Sequence, residues 1–333
     1  MGSRRCWLYH QPGARATGES ARRSRSGLVT IVFVTILKYG VIVDKRKLLI
    51  QLDSDPQPSV FDRVVAYDAG ADVVMSYGGV TPDAVREMVH GAIFTRGPKD
   101  LHRTALFIGG SNVTLGEQLL AEACKHMLPQ FGLRVSVLLD ANGANTTAAA
   151  AVRAAARHLD LRSTKALVLG ATGPVGQRVA LLLARQGAEV RLGSRQESKA
   201  AKVAEALRTK IPEAKLESAA ADPSGDLSSV LAERGLVVAA GTAGAILLPQ
   251  SARRACSTLR VAIDLNAVPP LGIEGVGVAD QGVERDGVLG YGALGVGALK
   301  MKIHKAAIAR LFERNDCILD AEEVYALGEG LMS

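Results

Sequence analysis

A short glycine-rich loop is the segment of this sequence best suited to hold a charged ligand. It spans residues 170–176 and reads GATGPVG, between an apolar segment at residues 165–170 and an apolar helix pattern at residues 175–186. Glycines at such a strand-to-helix turn let backbone N–H groups approach a pyrophosphate at the positive end of the helix. The spacing and its setting therefore predict a dinucleotide site. The residues assigned to it are Gly170, Thr172, Gly173, Pro174, Val175 and Gly176.

The residues after the next predicted strand indicate which dinucleotide is bound. Sites for NAD place Asp or Glu there, where the carboxylate holds the ribose 2′-hydroxyl. This sequence instead has Ser194 and Arg195, with Lys199 one helical turn later. A carboxylate would repel a 2′-phosphate, whereas serine and arginine bind it, so the pattern favours NADP and leaves NAD possible. The alternative is that Arg195 only caps a surface helix.

Two later loops are expected to reach the other half of the cofactor. Thr242 and Ala243 lie in a glycine-flanked loop after the apolar segment 236–240, and Asn266 follows the apolar segment 260–265. Loops at the carboxyl edge of a parallel sheet can pass over the nicotinamide. A simple flexible turn is an equally good interpretation of the loop that holds Thr242.

Acidic and amide side chains follow two predicted strands in the first half of the chain. They are Asp53 and Asp55, with Asp62 nearby, after the first strand, and Asp140, Asn142 and Asn145 after the fourth. Open α/β sheets bind ligands at the carboxyl ends of their strands, so these side chains are candidate substrate contacts. The alternative is that they cap turns and helices.

Strand and helix patterns alternate from residue 48 onward, which predicts an α/β fold built on parallel sheets. Predicted strands cover residues 48–52, 72–76, 104–109, 134–140, 165–170, 189–192, 236–240 and 260–265. Predicted helices cover residues 59–69, 82–91, 115–128, an alanine-rich run to 158, 175–186, 198–209 and 298–313. Thr81 is predicted to cap the second of these helices, and Asp320 to cap a last helix.

The length of 333 residues allows two α/β domains, each with its own core. The patterns divide the chain into a first domain at residues 45–147 and a second at residues 148–333. The second is predicted to be a Rossmann-type cofactor domain with a parallel sheet. Its C-terminal helices are free to pack back on the first domain.

The positive net charge of +7 does not indicate a nucleic-acid partner. Residues 1–48 hold ten basic and two acidic residues, so the remaining 285 residues carry 30 basic against 31 acidic. The body of the protein is therefore close to neutral. The four cysteines and six histidines are scattered, without CxxC or HExxH spacing, so no disulfide framework and no metal site is indicated.

The N-terminal segment at residues 1–44 is expected to be a disordered or accessory extension. Its first 26 residues are rich in Arg, Ser and Gly, and an apolar run at residues 27–43 follows. A basic flank before an apolar run has the outline of a signal peptide, but no small-residue cleavage site follows and Lys38 interrupts the run. We therefore expect a cytoplasmic protein without a membrane anchor. Attachment through residues 27–43 is the alternative.

Taken together, the polar and glycine-rich segments resemble the methylene-tetrahydromethanopterin dehydrogenases of bacterial one-carbon metabolism. The similarity runs over roughly residues 46–329 in order. The matching segments are residues 51–62 (QLDSDPQPSVFD), 141–147 (ANGANTT), 172–176 (TGPVG), 266–273 (NAVPPLGI) and 292–302 (GALGVGALKMK).

The resemblance implies oxidation of methylene-tetrahydromethanopterin to its methenyl form, with NAD(P) as hydride acceptor. It also implies two α/β domains that face each other across a cleft, with the reduced pterin mainly on the N-terminal domain, and a homo-oligomer. Lys300 matches a lysine of the family's motif and is expected in the active site, where it orients the pterin. The alternative for Lys300 is an ordinary solvated lysine.

Two other functions remain open on sequence grounds. The same chemistry on a different carrier would make the protein a methylene-tetrahydrofolate dehydrogenase. A non-catalytic NADP-binding protein would bind the cofactor but would turn over no pterin. That second interpretation leaves the segments outside the glycine loop without a purpose.

Overall fold

The structure is a computed structural model, and it describes residues 45–331. The predicted extension at residues 1–44 lies outside the described residues. The twelve strands of the described part are β1 (Leu48–Asp53), β2 (Val73–Tyr77), β3 (Thr104–Gly109), β4 (Ser136–Leu139), β5 (Lys165–Leu169), β6 (Glu189–Ser194), β7 (Leu216–Ala220), β8 (Leu236–Ala239), β9 (Val261–Asp264), β10 (Gln281–Arg285), β11 (Val288–Tyr291) and β12 (Ile318–Leu319).

Helices alternate with these strands along the chain, as crossover connections between parallel strands require. Those in the described part are α1 (Val60–Asp68), α2 (Pro82–Phe94), α3 (Val113–Lys125), α4 (Ala144–Ala156), α5 (Pro174–Arg185), α6 (Glu197–Lys210), α7 (Ser228–Leu231), α8 (Gln250–Ala255), α9 (Ala293–Arg310) and α10 (Ala321–Leu327). None of these helices is long and apolar enough to cross a membrane.

The first sheet is fully parallel and has the strand order β2-β1-β3-β4-β12. The order reverses between β1 and β3, because the chain first moves outward to β2 and then crosses back. In doubly wound sheets such a switch point opens a crevice at the carboxyl ends of the two strands. Asp53 ends β1 and Gly109 ends β3, so the acidic segment after β1 lies at this crevice.

The second sheet has the order β10-β11-β9-β8-β5-β6-β7, and only the edge pair β10–β11 is antiparallel. Its six parallel strands follow the Rossmann order, with the switch point between β5 and β8. The glycine loop follows β5, and the loop with Thr242 follows β8. This topology alone brings both predicted cofactor segments to one crevice.

Helix α4 lies at the centre of the described part and is buried along nearly its whole length. It packs against α5, which carries the glycine loop, and against α9 and α10. Because most of its side chains are alanine methyl groups, these neighbours approach closely on several sides. One apolar core therefore runs continuously from β1 and β3 through α4 to the second sheet.

The predicted α/β class with parallel sheets is confirmed, and most predicted elements lie within a few residues of the observed ones. The division into domains at residues 147 and 148 stays a prediction. The last strand and helix join the first half of the molecule, because β12 pairs with β4 and α10 packs on α4.

Two local predictions are wrong. Thr81 makes no side-chain hydrogen bond to helix α2, although Pro82 and Asp83 occupy the first turn as expected. Helix α9 begins at Ala293 instead of residue 298, so the glycines before Lys300 lie inside the helix. They do not break it, because Gly295 packs against the backbone of Asp280, where a Cβ atom would clash.

Candidate active site

The glycine loop after β5 is held in a close-packed turn. Gly170 has a φ of +74°, and a Cβ atom there would lie 2.5 Å from the Cα atom of Gly241. A Cβ atom on Gly176 would clash with the carbonyl oxygen of Gly170. These two positions therefore need glycine for the fold itself.

Gly173 differs from its two neighbours in the motif. A Cβ atom there would meet the nearest protein atoms at 3.5 and 3.6 Å, which is ordinary contact. Packing therefore does not require glycine at position 173. Its lack of a side chain leaves the backbone of the loop accessible to a ligand. No side chain caps helix α5 behind it, and Pro174 occupies the first turn. The first-turn N–H groups are therefore available to an anion.

A pocket of about 810 Å³ opens in front of this loop. Eight of the predicted cofactor residues line it, namely Gly170, Thr172, Gly173, Pro174, Ser194, Arg195, Lys199 and Thr242. Its size and its position at the switch point of the sheet suit a dinucleotide. The sequence did not single out the apolar wall at Ala245, Ile246 and Leu247.

Four other predicted cofactor residues do not line this pocket. Val175 and Gly176 lie in the first turn of α5, and Ala243 is exposed. The Asn266 side chain shapes its own loop, because its Nδ2 donates to the carbonyl of Pro270 at 3.1 Å and its Oδ1 accepts from the N–H of Val268 at 3.0 Å.

The side of the pocket that follows β6 carries two exposed basic side chains, and one carboxylate interacts with the first of them. Arg195 and Lys199 line the pocket after β6. Hydrogen bonds from the Ser224 backbone and hydroxyl, together with the charge of Arg195, hold the pKa of Asp222 below its ordinary value. Asp222 follows β7, a strand that the sequence patterns did not predict. Arg195 thus lies near an acid from a neighbouring loop.

Asp53 and Asp55 organise the loops at the crevice of the first sheet. The Asp53 carboxylate is buried and accepts from the N–H groups of Asp55 at 2.9 Å and Ser59 at 3.0 Å. The Asp55 carboxylate accepts from the N–H of Ser111 at 2.9 Å and from its hydroxyl at 2.8 Å. These bonds tie the segment after β1 to the segment after β3.

The three predicted contacts after β4 have different environments. Asn142 is exposed, with a left-handed φ of 57°. The buried Asn145 donates to the carbonyl of Leu139 at 2.6 Å and to Asp320 at 2.9 Å, and it accepts from Arg178 at 2.8 Å. Its amide therefore joins β4, α5 and α10.

Asp140 is buried at the end of β4. Its carboxylate accepts from the N–H of Thr146 at 3.0 Å and from the Thr146 hydroxyl at 2.7 Å. Burial outweighs both the charge of Lys300 and these hydrogen bonds, and it raises the pKa of Asp140 to about 7. Asp140 therefore changes charge in the neutral range, unlike an ordinary aspartate.

Lys300 reaches the same end of the first sheet from helix α9. Its Nζ lies 4.4 Å from the centre of the Phe61 ring, a cation–π arrangement. Gly143 lies beside the ammonium, because a Cβ atom there would be 3.6 Å from Nζ. Burial raises the pKa of Asp62, and the nearby charge of Lys300 opposes that effect. The lysine thus lies among acidic groups of the predicted substrate side.

Sequence reasoning missed His304 and Phe61, and it named Asp62 only as a neighbour of Asp53 and Asp55 after the first strand. His304 follows Lys300 by four residues, so both lie on one face of α9. That spacing is the signal that could have found the histidine. Its partners come from β3, α1 and the end of β4, and no sequence pattern places those together.

A second pocket, of about 390 Å³, is lined by both halves of the molecule. Ser111 and Asn112 come from the segment after β3, and Thr172 and Pro174 come from the glycine loop. Thr172 and Pro174 also line the larger pocket. The loop that Asp55 holds and the glycine loop therefore face the same space.

Comparisons with known proteins show what this chain is similar to. A family model described as "Methylene-tetrahydromethanopterin dehydrogenase, N-terminal" matches residues 60–142. The "Bifunctional protein MdtA" of Methylorubrum extorquens is 45% identical over 288 residues, which cover 85% of this chain and 98% of the relative. The "NAD(P)-dependent methylenetetrahydromethanopterin dehydrogenase" of the same organism is 31% identical over 242 residues, 69% of this chain and 79% of the relative.

Solved structures show a weaker likeness. The ligand-free 5-ketofructose reductase of Gluconobacter sp. strain CHM43 has a TM-score of 0.48 at 17% identity, with 86% of this chain and 99% of the other covered. A likeness at this level does not bear on the ligand of either site.

Proposed function

Because this chain belongs to the methylene-tetrahydromethanopterin dehydrogenase family, we propose that it oxidises methylene-tetrahydromethanopterin to the methenyl form, with NADP as the preferred hydride acceptor. Members of this family are NAD(P)-dependent enzymes, and the chain is an oxidoreductase of one-carbon metabolism. The observation that carries the proposal is the pocket shared by the glycine loop and the Ser111 segment. It allows a dinucleotide and a pterin to meet between the two sheets.

The cofactor is proposed to lie in the larger pocket with its pyrophosphate on the glycine loop. The N–H groups around Gly173 and the open N-terminus of α5 receive the phosphates. Ser194, Arg195 and Lys199 bind the 2′-phosphate. Thr242 and the apolar wall behind it hold the nicotinamide half. When bound, the nicotinamide supplies the hydride acceptor.

The chemical step needs little from the protein side chains. The methylene carbon lies between two nitrogens whose lone pairs stabilise the cation that remains after hydride loss, so no general base is required. Catalysis then rests on the relative position of the two reactants. We assign Lys300 the role of orienting the pterin. A positive group beside a developing cation does not itself favour the reaction.

The carrier needs a test of its own, since tetrahydrofolate presents the same reacting carbon. The experiment that tests the proposal measures methenyl formation by absorbance from methylene-tetrahydromethanopterin and methylene-tetrahydrofolate, each with NADP and NAD. We expect the highest kcat/KM with the methanopterin and NADP. A higher kcat/KM with the folate would mean that tetrahydrofolate is the carrier instead of tetrahydromethanopterin. NADP binding without turnover of either carrier would favour the non-catalytic alternative.

We further propose a cytoplasmic homo-oligomer that binds neither nucleic acid nor membranes. The near-neutral charge of residues 49–333 supports the absence of nucleic-acid binding. Sedimentation of the full-length protein tests the assembly, and fractionation of cells that produce it tests the location. A monomeric mass or recovery in the membrane fraction would contradict the respective part.

A further inference from the structure

A buried histidine without hydrogen-bond partners lies one helical turn after Lys300. His304 is fully buried, and neither of its ring nitrogens has a hydrogen-bond partner. Its ring stacks on Phe107 with the centroids 5.8 Å apart and an angle of 18° between the planes. An apolar side chain would fill such a space without loss, because two unsatisfied ring nitrogens are costly in a core. The position of the nitrogens therefore needs an explanation.

Each nitrogen of His304 faces a carboxylate. Nε2 lies 4.0 Å from Oδ1 of Asp62, and Nδ1 lies 4.0 Å from Oδ2 of Asp140. These distances exceed a hydrogen bond by about 1 Å. Closing each gap by about 1 Å would bring both ring nitrogens within hydrogen-bond distance of the carboxyl groups.

The charged groups around the histidine come from every side of the cluster. Asp53 at the end of β1 and Asp62 in α1 are acidic, as is Asp140 after β4, while Lys300 lies one turn away in α9. Burial first, and then the charge of Lys300, lowers the pKa of His304 to about 3. The imidazole is therefore neutral at working pH, with one N–H donor and one bare nitrogen.

A neutral imidazole can bridge two carboxyl groups only if one of them holds a proton. The bare nitrogen accepts from the protonated carboxyl, and the N–H donates to the ionised one. Asp140 is the better proton holder, because burial raises its pKa to about 7. The proton on Asp140 then lies toward Nδ1, and Nε2 carries the imidazole proton toward Asp62.

We propose that Asp62, His304 and Asp140 form a one-proton bridge whose ionisation at Asp140 sets the charge around Lys300 and thereby the affinity of the site for the cationic product. This inference rests on the proposed function for its link to the pterin. His304 acts as a positioning residue in it. It does not touch the reacting carbon.

The bridge affects product binding through the net charge around Lys300. With Asp140 protonated, the charge of Lys300 is opposed by Asp62. Loss of the proton adds a negative charge beside Lys300 and favours a cation in the pterin site. The methenyl product is a cation and the methylene substrate is not. Product binding therefore tightens as the pH rises through the ionisation of Asp140.

The bridge itself is tested without turnover, by ¹⁵N NMR of the protein with labelled histidine. Six histidines give few signals, and substitution of the other five, one at a time, assigns His304. Below pH 6 we expect Nε2 protonated and Nδ1 bare but hydrogen-bonded, with a change in both signals near pH 7. The D140N variant should lose that change, and the control D83N, at an exposed acid of α2, should keep it.

Three outcomes would overturn the bridge. They are a proton on Nδ1 below pH 6, an imidazolium between pH 5 and 9, and signals that stay constant from pH 5 to 9 in the unsubstituted protein. The last of these outcomes is measured on the unsubstituted protein, so the proposal can be tested even if D140N folds poorly.

The link to the product is tested by the inhibition constant of methenyl-tetrahydromethanopterin between pH 5.5 and 8.5. We expect inhibition to tighten at least threefold through neutral pH in the unsubstituted protein and to vary less in D140N. An intact bridge with a pH-independent constant would overturn the link. Absence of any pterin turnover would instead contradict the proposed function, while the NMR result would stand by itself.

Discussion

At the scale of single residues, the site contains acids and bases whose charges depend on one another. Asp53 and Asp55 use their carboxylates to hold loops together, whereas Asp140 and Asp62 lie beside Lys300 with raised pKa values. The side chains that organise the site are thus distinct from those that set its charge. Substitutions in the two groups should have different effects.

Replacement of Lys300 by alanine is expected to lower kcat/KM for the pterin at least tenfold, because the side chain that orients the ring system is lost. The dissociation constant for NADP should not change. Lys302→Ala is the matched control, since Lys302 is an exposed lysine of the same helix. Equal kcat/KM values for the two variants would remove Lys300 from the active site.

Replacement of Arg195 by alanine is expected to raise the dissociation constant for NADP about tenfold and to leave that for NAD unchanged. The reason is the loss of a charged hydrogen bond to the 2′-phosphate, worth about 1.5–3 kcal/mol in a favourable geometry. Lys202→Ala, at an exposed position of helix α6, which begins two residues after Arg195, serves as the control. Fluorescence titration with each cofactor measures both constants, and a parallel loss for NAD would contradict the assignment.

The buried Asp140 also predicts how stability depends on pH. Its folded-state pKa of about 7 lies above the ordinary value of 3.8, so the folded state binds more protons between these two pH values. Its contribution to stability is therefore present below about pH 4 and is lost as the pH rises toward 7. The D140N variant lacks this loss. The free energy of unfolding of D140N, minus that of the unsubstituted protein, should therefore be larger at pH 8 than at pH 5. Urea unfolding at the two pH values measures this difference.

At the scale of elements, the glycines show which local conformations the fold requires. Gly170 and Gly176 are needed for the close contact between β5, α5 and the loop after β8. Gly91 lies in α2 with nothing near a hypothetical Cβ atom. Replacement of glycine by alanine should therefore have opposite effects on stability at the two kinds of position.

Gly176→Ala is expected to destabilise the protein by roughly 1–3 kcal/mol, because the new methyl group displaces the carbonyl of Gly170. Gly91→Ala should instead stabilise it by up to about 1 kcal/mol through helix propensity. Chemical unfolding of both variants measures the two changes in the free energy of unfolding. A neutral Gly176→Ala would show that the loop has room to move.

Strands and helices with strong burial patterns could be predicted from the sequence, but the short and exposed ones could not. Strands β1, β3 and β5 read as apolar runs because they are buried. Strand β10 is largely exposed and β12 has two residues, so neither leaves a pattern. The histidine cluster was hidden for another reason, because its members are brought together only by packing of α1 and α9 on the first sheet.

At the scale of the whole molecule, the two halves are joined by more than the chain between them. Asn145 connects β4 to α5 and α10, and Arg178 of α5 also pairs with Glu117 of α3 at 2.8 Å. This buried polar network lies between the cofactor helix and the substrate side. Its groups are satisfied by one another, which fixes their relative position.

Truncation after Asp316 removes β12 and α10, which uncovers the β4 edge and takes away Asp320, one of the three hydrogen-bond partners of Asn145. We expect the midpoint of urea unfolding to fall by more than any substitution above, with loss of pterin turnover. Removal of residues 332 and 333 alone is the control. Unchanged unfolding after the longer truncation would show that the first sheet does not need its fifth strand.

The pairing of β12 with β4 also bears on the order of events during synthesis. The first sheet is complete only when residues 318 and 319 have left the ribosome, some 180 residues after β4. At about 5–20 residues per second, the β4 edge of a nascent chain stays uncovered for roughly ten to forty seconds. Parallel edges exposed in this way are prone to association. The N-terminal half of this protein should therefore depend on chaperones until its C-terminus arrives.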